Sequence, residues 1–291
     1  MSVLCLIANP AEPALDAALV GAIHSEIGGE LNWLNQRIAV EFVKPHLPTA
    51  ADAARSLVAG RPIDVALVPL ANRRKRLLIA DMDSTMIQQE CIDELADAVG
   101  IKAEVADITA RAMRGELDFP SALRTRVALL KGLARAKIAA VRRERITLAP
   151  GGRTLVQTMK AYGAYTSLVS GGFTFFADDV ARRIGFDEAR ANTLVFEGDA
   201  LNGTVAEPIL GQQAKLDRLN ELSAEKEIPL SLTLAVGDGA NDLAMIKAAG
   251  LGVALHAKPV VAAEAQVRID HGDLTALLYL QGYADDEFVR V

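Results

Sequence analysis

Several residue types are scarce in this 291-residue sequence, and each scarcity excludes something. There are two cysteines, Cys5 and Cys91. They are too few and too far apart for a Cys-x-x-Cys pair, a Cys/His metal cluster or a disulfide framework, so a reducing, cytoplasmic setting is expected. Both read as small buried hydrophobes. Aromatic residues make up 4%, with a single Trp, which excludes an aromatic platform for stacking bases. Basic residues are outnumbered, Lys+Arg 31 against Asp+Glu 37, for a net charge of −6. A nucleic-acid partner is therefore not expected, although a small anion pocket stays open. No apolar run approaches the ~18 residues of a membrane span. The apolar Val3–Ala8 stretch has no basic residues before it and is too short for a signal-peptide core, so no membrane partner is expected. Internal repeats and low-complexity stretches are also lacking.

What is present is an apolar fraction of 51% with 23% charge, which rules out general disorder. The length corresponds to two domains at about 150 residues each. Residues 1–70 read as a small α+β module: strand Val3–Ala8, helix Pro13–Ile27, one long or two short strands over Leu31–Val43, helix Ala50–Val58 and strand Ile63–Val68. That order suggests a ferredoxin-like or ACT-like unit, a fold too widely used to carry a function. Residues 71–76 contain Arg73-Arg74-Lys75-Arg76 and read as a solvated basic linker rather than an anion patch. From Leu77 onward short apolar strands alternate with helices, the pattern of a parallel α/β sheet. Leu77–Ala80, Tyr165–Val169, Thr233–Val236, Leu251–Leu255 and Val267–Ile269 are the expected strands. Residues 88–149 are almost wholly helical, and Thr193–Glu197 with Leu201–Val205 reads as a hairpin.

Three of these strands run into polar turns, at the end of a parallel sheet where ligands collect. The first turn carries Asp81 and Asp83, a spacing that suits a nucleophile, an acid/base pair or a hard-metal site, against a simple helix start. The second is Ser170-Gly171-Gly172, which offers a hydroxyl and free N–H groups to an anion, or is a plain strand-to-helix turn. The third holds Asp238, Asn241 and Asp242 between and after two glycines. It is either a helix cap or, beside the first turn, half of a divalent-cation site. Lys215, early in a helix, would ordinarily be solvated; a phosphate site would need such a fixed cation. The four histidines show no metal-ligand spacing.

Leu-Leu-Ile-Ala-Asp81-Met-Asp83-Ser-Thr85, Ser170, Lys215 and Gly237-Asp238-Gly-Ala-Asn-Asp242 occur in the order of the haloacid dehalogenase superfamily, which the sequence resembles over about 72–283. Asp-Met-Asp-Ser-Thr followed by Glu90, the segment around Arg126, and Val169-Ser-Gly-Gly-Phe173 are similar to the phosphoserine phosphatase branch of that superfamily. The resemblance implies a Rossmann-like parallel sheet with a helical cap at about 88–160, making residues 77–291 a phosphatase domain. It implies hydrolysis of O-phospho-L-serine, the last step of serine biosynthesis, through an aspartyl-phosphate. Asp81 would be the nucleophile and Asp83 the acid and base. Mg²⁺ would be held by Asp81, Asp83 through its carbonyl, and Asp238, with Asp242 in support. Ser170, Gly171 and Lys215 would hold the phosphoryl group, Asn241 would assist, and Glu90 and Arg126 would bind the ammonium and carboxylate of a small-molecule substrate. Met113 and Phe119 would wall the site. The N-terminal module would be the place for an amino-acid effector. The alternatives are a phosphatase for another small phosphometabolite, or an amino-acid sensor in which residues 1–70 are the functional part.

Overall fold

A computed structural model describes residues 1–113 and 116–290, with the backbone alone at Met113. The chain forms two compact units. The first comprises Met1–Ile79, Pro150–Thr166 and Leu219–Val291, and the second Ala80–Ala149 and Ser167–Arg218.

The first unit begins with a βαββαβ module: β1 (Ser2–Ala8), α1 (Ala17–Ile27), β2 (Glu30–Asn35), β3 (Ala39–Val43), α2 (Ala50–Leu57) and β4 (Ile63–Pro69). Its antiparallel sheet has the order β2-β3-β1-β4, the ferredoxin-like arrangement. The expected helix over 13–27 starts only at Ala17, because the Asp16 carboxylate accepts the Leu19 N–H and caps it there. The apolar stretch 31–43 resolves into two strands. Leu19, Val20, Ile23 and Ile27 of α1 pack with Leu4, Leu6, Val40 and Phe42 of the sheet, each side chain contributing about 1.5–3 kcal/mol by burial.

Beyond the module lie β5 (Leu77–Ala80), α3 (Cys91–Ala98), α4 (Lys102–Met113), α5 (Phe119–Leu129), α6 (Arg135–Arg145), α7 (Gly152–Ala161), β6 (Tyr165–Phe173), α8 (Thr174–Ile184), β7 (Glu188–Asn192), the hairpin β8 (Leu194–Glu197) and β9 (Ala200–Val205), α9 (Gln212–Glu225), β10 (Thr233–Gly237), α10 (Leu243–Ala248), β11 (Leu251–Leu255), α11 (Pro259–Glu264), β12 (Val267–Ile269) and α12 (Ala276–Leu280). The main sheet has the order β12-β11-β10-β5-β6-β7, with parallel ladders β10–β11, β11–β12 and β6–β7. The second unit holds the helices α3 to α6, and α7 belongs to the first, against α12.

Two features depart from the sequence reading. The strand expected to stop at Val169 continues through Ser170-Gly171-Gly172 to Phe173, with its register shifting between Val169 and Phe173, so that the expected turn is an irregular length of strand. Strand β7 was not expected, since Glu188-Ala-Arg-Ala-Asn192 is polar; it is an edge strand, where one side needs no apolar cover.

Within the first unit the module is joined to later elements. β4 contacts β12, and β1 contacts α12. The part-buried Arg73 pairs with the buried Glu41 at 2.7 Å and donates to the Leu280 and Tyr279 carbonyls. The Lys75 ammonium donates to the Ser231 carbonyl, and Arg74 grips both Glu287 oxygens. The segment expected to be solvated is therefore held down along much of its length. Arg73 and Lys75 serve carbonyls and a carboxylate, while Arg74 and Arg76 are exposed as expected.

Candidate active site

The wholly apolar β5 buries all four of its residues and delivers Asp81 at its end, 5% exposed. Lys215, in the first turn of α9, is itself 1% exposed, and its ammonium lies 2.6 Å from Asp81 Oδ1. A lysine this deep is stable only against fixed negative charge. The same Oδ1 accepts the Met82 N–H at 2.7 Å, which sets the orientation of the carboxylate.

Asp83 is part-buried, and its Oδ1 accepts the Cys91 N–H at 3.3 Å. A Cβ built on Gly172 would lie 2.8 Å from Asp83 Oδ2 and 3.0 Å from Ser170 Oγ. The bare glycine is thus what lets Asp83 approach β6. Burial pushes the Asp83 carboxyl up to about 7; the Glu90 charge adds to the rise, and the Cys91 contact and the Lys215 charge oppose it. Ser170 is buried, and its Oγ accepts the Gly172 N–H at 2.8 Å. Glu90 is exposed at the start of α3 and accepts from Ser84 Oγ at 2.8 Å. Ser84 itself has a left-handed φ of 54°, the sharp bend after the two acids. Arg126 on α5 is part-buried, with its guanidinium on Thr109 Oγ1 and the Ala122 carbonyl. Burial lowers its pKa, while the charges of Asp93, Glu90 and Asp83 oppose the fall.

The structure adds residues that motif reading passed over. Asn192, the last residue of β7, donates to the carbonyls of Gly171 and Leu210 and accepts the Leu210 N–H at 2.7 Å. It ties the irregular end of β6 to the loop before α9. The signal for it was hidden, because it ends a strand with no apolar pattern. Glu188, on the same strand, accepts from Ser167 Oγ at 2.7 Å and takes Arg218 at 2.8 and 2.6 Å. Arg218 lies one turn beyond Lys215 on α9, so the clamp holds the helix that carries the ammonium. Phe119 packs where a Cβ on Gly171 or Gly211 would fall, 3.1 and 3.3 Å from its ring. The Met113 side chain lies outside the described residues.

In the first unit, β10 ends in Gly237-Asp238. Asp238 is 8% exposed, and its carbonyl accepts the Lys258 N–H at 3.1 Å. Asp242 is fully buried, and its Oδ2 accepts the Gly239 N–H at 3.0 Å. A Cβ on Gly237 would lie 2.3 Å from Asp242 Cγ, and one on Gly239 would lie 2.3 Å from Asn241 Oδ1. Both glycines make room for carboxyl and amide groups folded back on the turn. Asp238 and Asp242 place two buried carboxylates on this turn of the first unit. An all-carboxylate oxygen set fits a hard divalent cation.

The haloacid dehalogenase-like hydrolase family pattern matches residues 78–247, and the chain belongs to that family. Its relatives narrow the class. A phosphoserine phosphatase of Streptomyces coelicolor is 44% identical over 253 residues, 86% of this chain and 62% of that protein, so this chain spans less than two thirds of that relative. A phosphoserine phosphatase of Polaromonas sp. is 45% identical over 226 residues, 76% of this chain and 96% of the relative. The crystal structure of a probable phosphoserine phosphatase from Vibrio cholerae, unliganded, superposes with a TM-score of 0.81 at 32% identity, covering 98% of this chain and 88% of that one. No helix among the described residues is long and apolar enough to cross a membrane.

Proposed function

We propose that the chain is a phosphoserine phosphatase, hydrolysing O-phospho-L-serine to L-serine and phosphate in the cytoplasm as the last step of serine biosynthesis. The observation that carries this reading is the buried Asp81–Lys215 pair beside Asp83 and Ser170. Its arrangement supports phosphoryl transfer to a carboxylate, and relatives 44% and 45% identical support the substrate.

The residues divide the work by charge and position. Asp81 Oδ attacks phosphorus, the P–O bond to serine breaks, and the phosphoryl group passes to Asp81. Asp83, its carboxyl near 7, gives its proton to the leaving serine oxygen. It then takes a proton from the water that attacks the aspartyl-phosphate, releasing phosphate and restoring both carboxyls. Lys215, Ser170 Oγ and the Gly171 N–H hold phosphoryl oxygens, and Asn192 fixes the Gly171 backbone from behind. Arg126 receives the substrate carboxylate in a two-pronged grip. Glu90 accepts from the ammonium, and Phe119 excludes water beside Gly171. Asn241 and Asp242 brace the turn that carries Asp238. Mg²⁺, held by Asp81, the Asp83 carbonyl and Asp238, would supply charge neutralisation for two approaching anions.

The test is phosphate release from a panel of O-phospho-L-serine, O-phospho-L-threonine and phenyl phosphate, with Mg²⁺ and with EDTA. Selective, Mg²⁺-dependent turnover of phosphoserine is expected. Turnover of phenyl phosphate as fast as phosphoserine would point to another phosphometabolite as the substrate.

A further inference from the structure

The strand β4 of the N-terminal module carries an aspartate in an unusual place. Asp64 is 4% exposed, on a strand otherwise built of apolar residues. Its carboxylate serves three successive backbone donors at the end of β12: Asp270 N–H at 2.8 Å, His271 N–H at 3.2 Å and Gly272 N–H at 2.7 Å. Burial raises the Asp64 pKa, and the three N–H groups oppose that rise. From the other side, Asn9 Nδ2 donates to the His271 carbonyl at 2.9 Å. The turn 270–272 is therefore fastened by two side chains of the module.

The fastening continues toward the catalytic turn. The Gly272 carbonyl meets His256 Nε2 at 2.8 Å, and the His256 N–H donates to the Ile269 carbonyl at 2.8 Å. His256 follows β11 with a left-handed φ of 45°, a conformation that costs free energy in a non-glycine residue and needs such anchors to persist. Two residues on, the Lys258 N–H donates to the Asp238 carbonyl at 3.1 Å. Hydrogen bonds thus run from Asp64 through Gly272 to His256, and two residues of backbone further on Lys258 reaches the Asp238 carbonyl.

We infer that Asp64 and His256 are positioning residues for the candidate metal ligand Asp238, so that residues 1–70 form part of the catalytic assembly. The inference rests on Asp238 being a ligand to Mg²⁺. The chemistry is that of an outer partner: it changes no bond in the reaction and acts by holding a ligand-bearing turn in one conformation. The interactions on Asp64 are charge-assisted, the kind that holds a backbone turn most firmly.

The experiment is Mg²⁺ binding by titration calorimetry on the full chain without substrate, beside steady-state kinetics at saturating Mg²⁺. Asp64→Asn and His256→Ala are each expected to weaken Mg²⁺ binding on the order of tenfold, with KM for phosphoserine at saturating Mg²⁺ within about twofold of wild type. His256→Gln, whose amide reaches toward the Gly272 carbonyl, should recover most of the loss. The double variant should bind Mg²⁺ no more weakly than the poorer single variant, since both residues act along one path. His256 is exposed, so His256→Ala tests the proposal even if Asp64→Asn fails to fold. Mg²⁺ binding within twofold of wild type in folded His256→Ala overturns the inference, as do losses that simply multiply in the double variant. A wild-type chain that binds no Mg²⁺ would instead overturn the assignment of the metal.

Discussion

Asp83 sits where burial and the Glu90 charge favour its neutral form, and its carboxyl is pushed up to about 7. As the acid it must enter the transfer step protonated. kcat/KM for phosphoserine is therefore expected to fall as pH rises through a limb near neutrality, a limb governed by that residue in the free enzyme. Glu90→Gln removes a charge that raises the Asp83 pKa, so the limb should move to lower pH; a limb that stays in place would separate Asp83 from the acid role. Arg126 offers a second test. Arg126→Ala would leave the substrate carboxylate unpaired, costing about 2–4 kcal/mol in kcat/KM for phosphoserine. Phenyl phosphate turnover should change much less. An equal loss on both substrates, measured as the ratio of the two kcat/KM values, would make Arg126 an ordinary structural residue. Asp83 stood out in the sequence because it sits two residues after Asp81 at the end of an apolar strand, whereas Glu90 and Arg126 were singled out only through the family resemblance. Asn192 and Glu188 did not stand out, since their importance comes from partners 18 to 30 residues away.

At the level of elements, the apolar runs of β5, β10 and β11 announced themselves, because a strand buried on both faces has no polar positions to spare. The polar edge strand β7 gave no such signal, and the end of β6 read as a turn because Gly-Gly is also turn chemistry. The glycines at strand ends have a sharper meaning in three dimensions. Gly237→Ala would drive a methyl onto the Asp242 carboxylate, 2.3 Å from its carbon. Overpacking of this kind costs about 1–3 kcal/mol of stability, and here the displaced group also braces the Gly239 N–H. A lower unfolding temperature and weaker Mg²⁺ binding are expected together. Gly60→Ala is a contrasting control, strained by its φ of +78° but with nothing within 4 Å of the new methyl. It should lose stability and keep Mg²⁺ affinity.

For the whole molecule, the four-stranded module and the later part of its compact unit share the Asp64 fastening and the β1–α12 contact, and Arg73 just after the module donates to the Leu280 and Tyr279 carbonyls. The sequence pattern suggested domains at 1–70 and 77–291, whereas the module shares its compact unit with residues 150–166 and 219–291; composition could not foretell the contacts that join residues about 200 apart in the chain. Removing residues 1–70 would strip cover from α12, all five residues of which are buried. The truncated chain is expected to unfold at a markedly lower temperature than the full chain in a thermal melt. An unchanged melt would show the module to be thermodynamically separate. The central claim, that Asp81 carries the phosphoryl group, is tested most directly by rapid acid quench with phosphoserine followed by peptide mass spectrometry. A phosphoryl adduct on the peptide containing Asp81 is predicted in the wild type, with no adduct and no turnover in Asp81→Asn. An adduct on another residue, or near-normal phosphate release by Asp81→Asn, would contradict it.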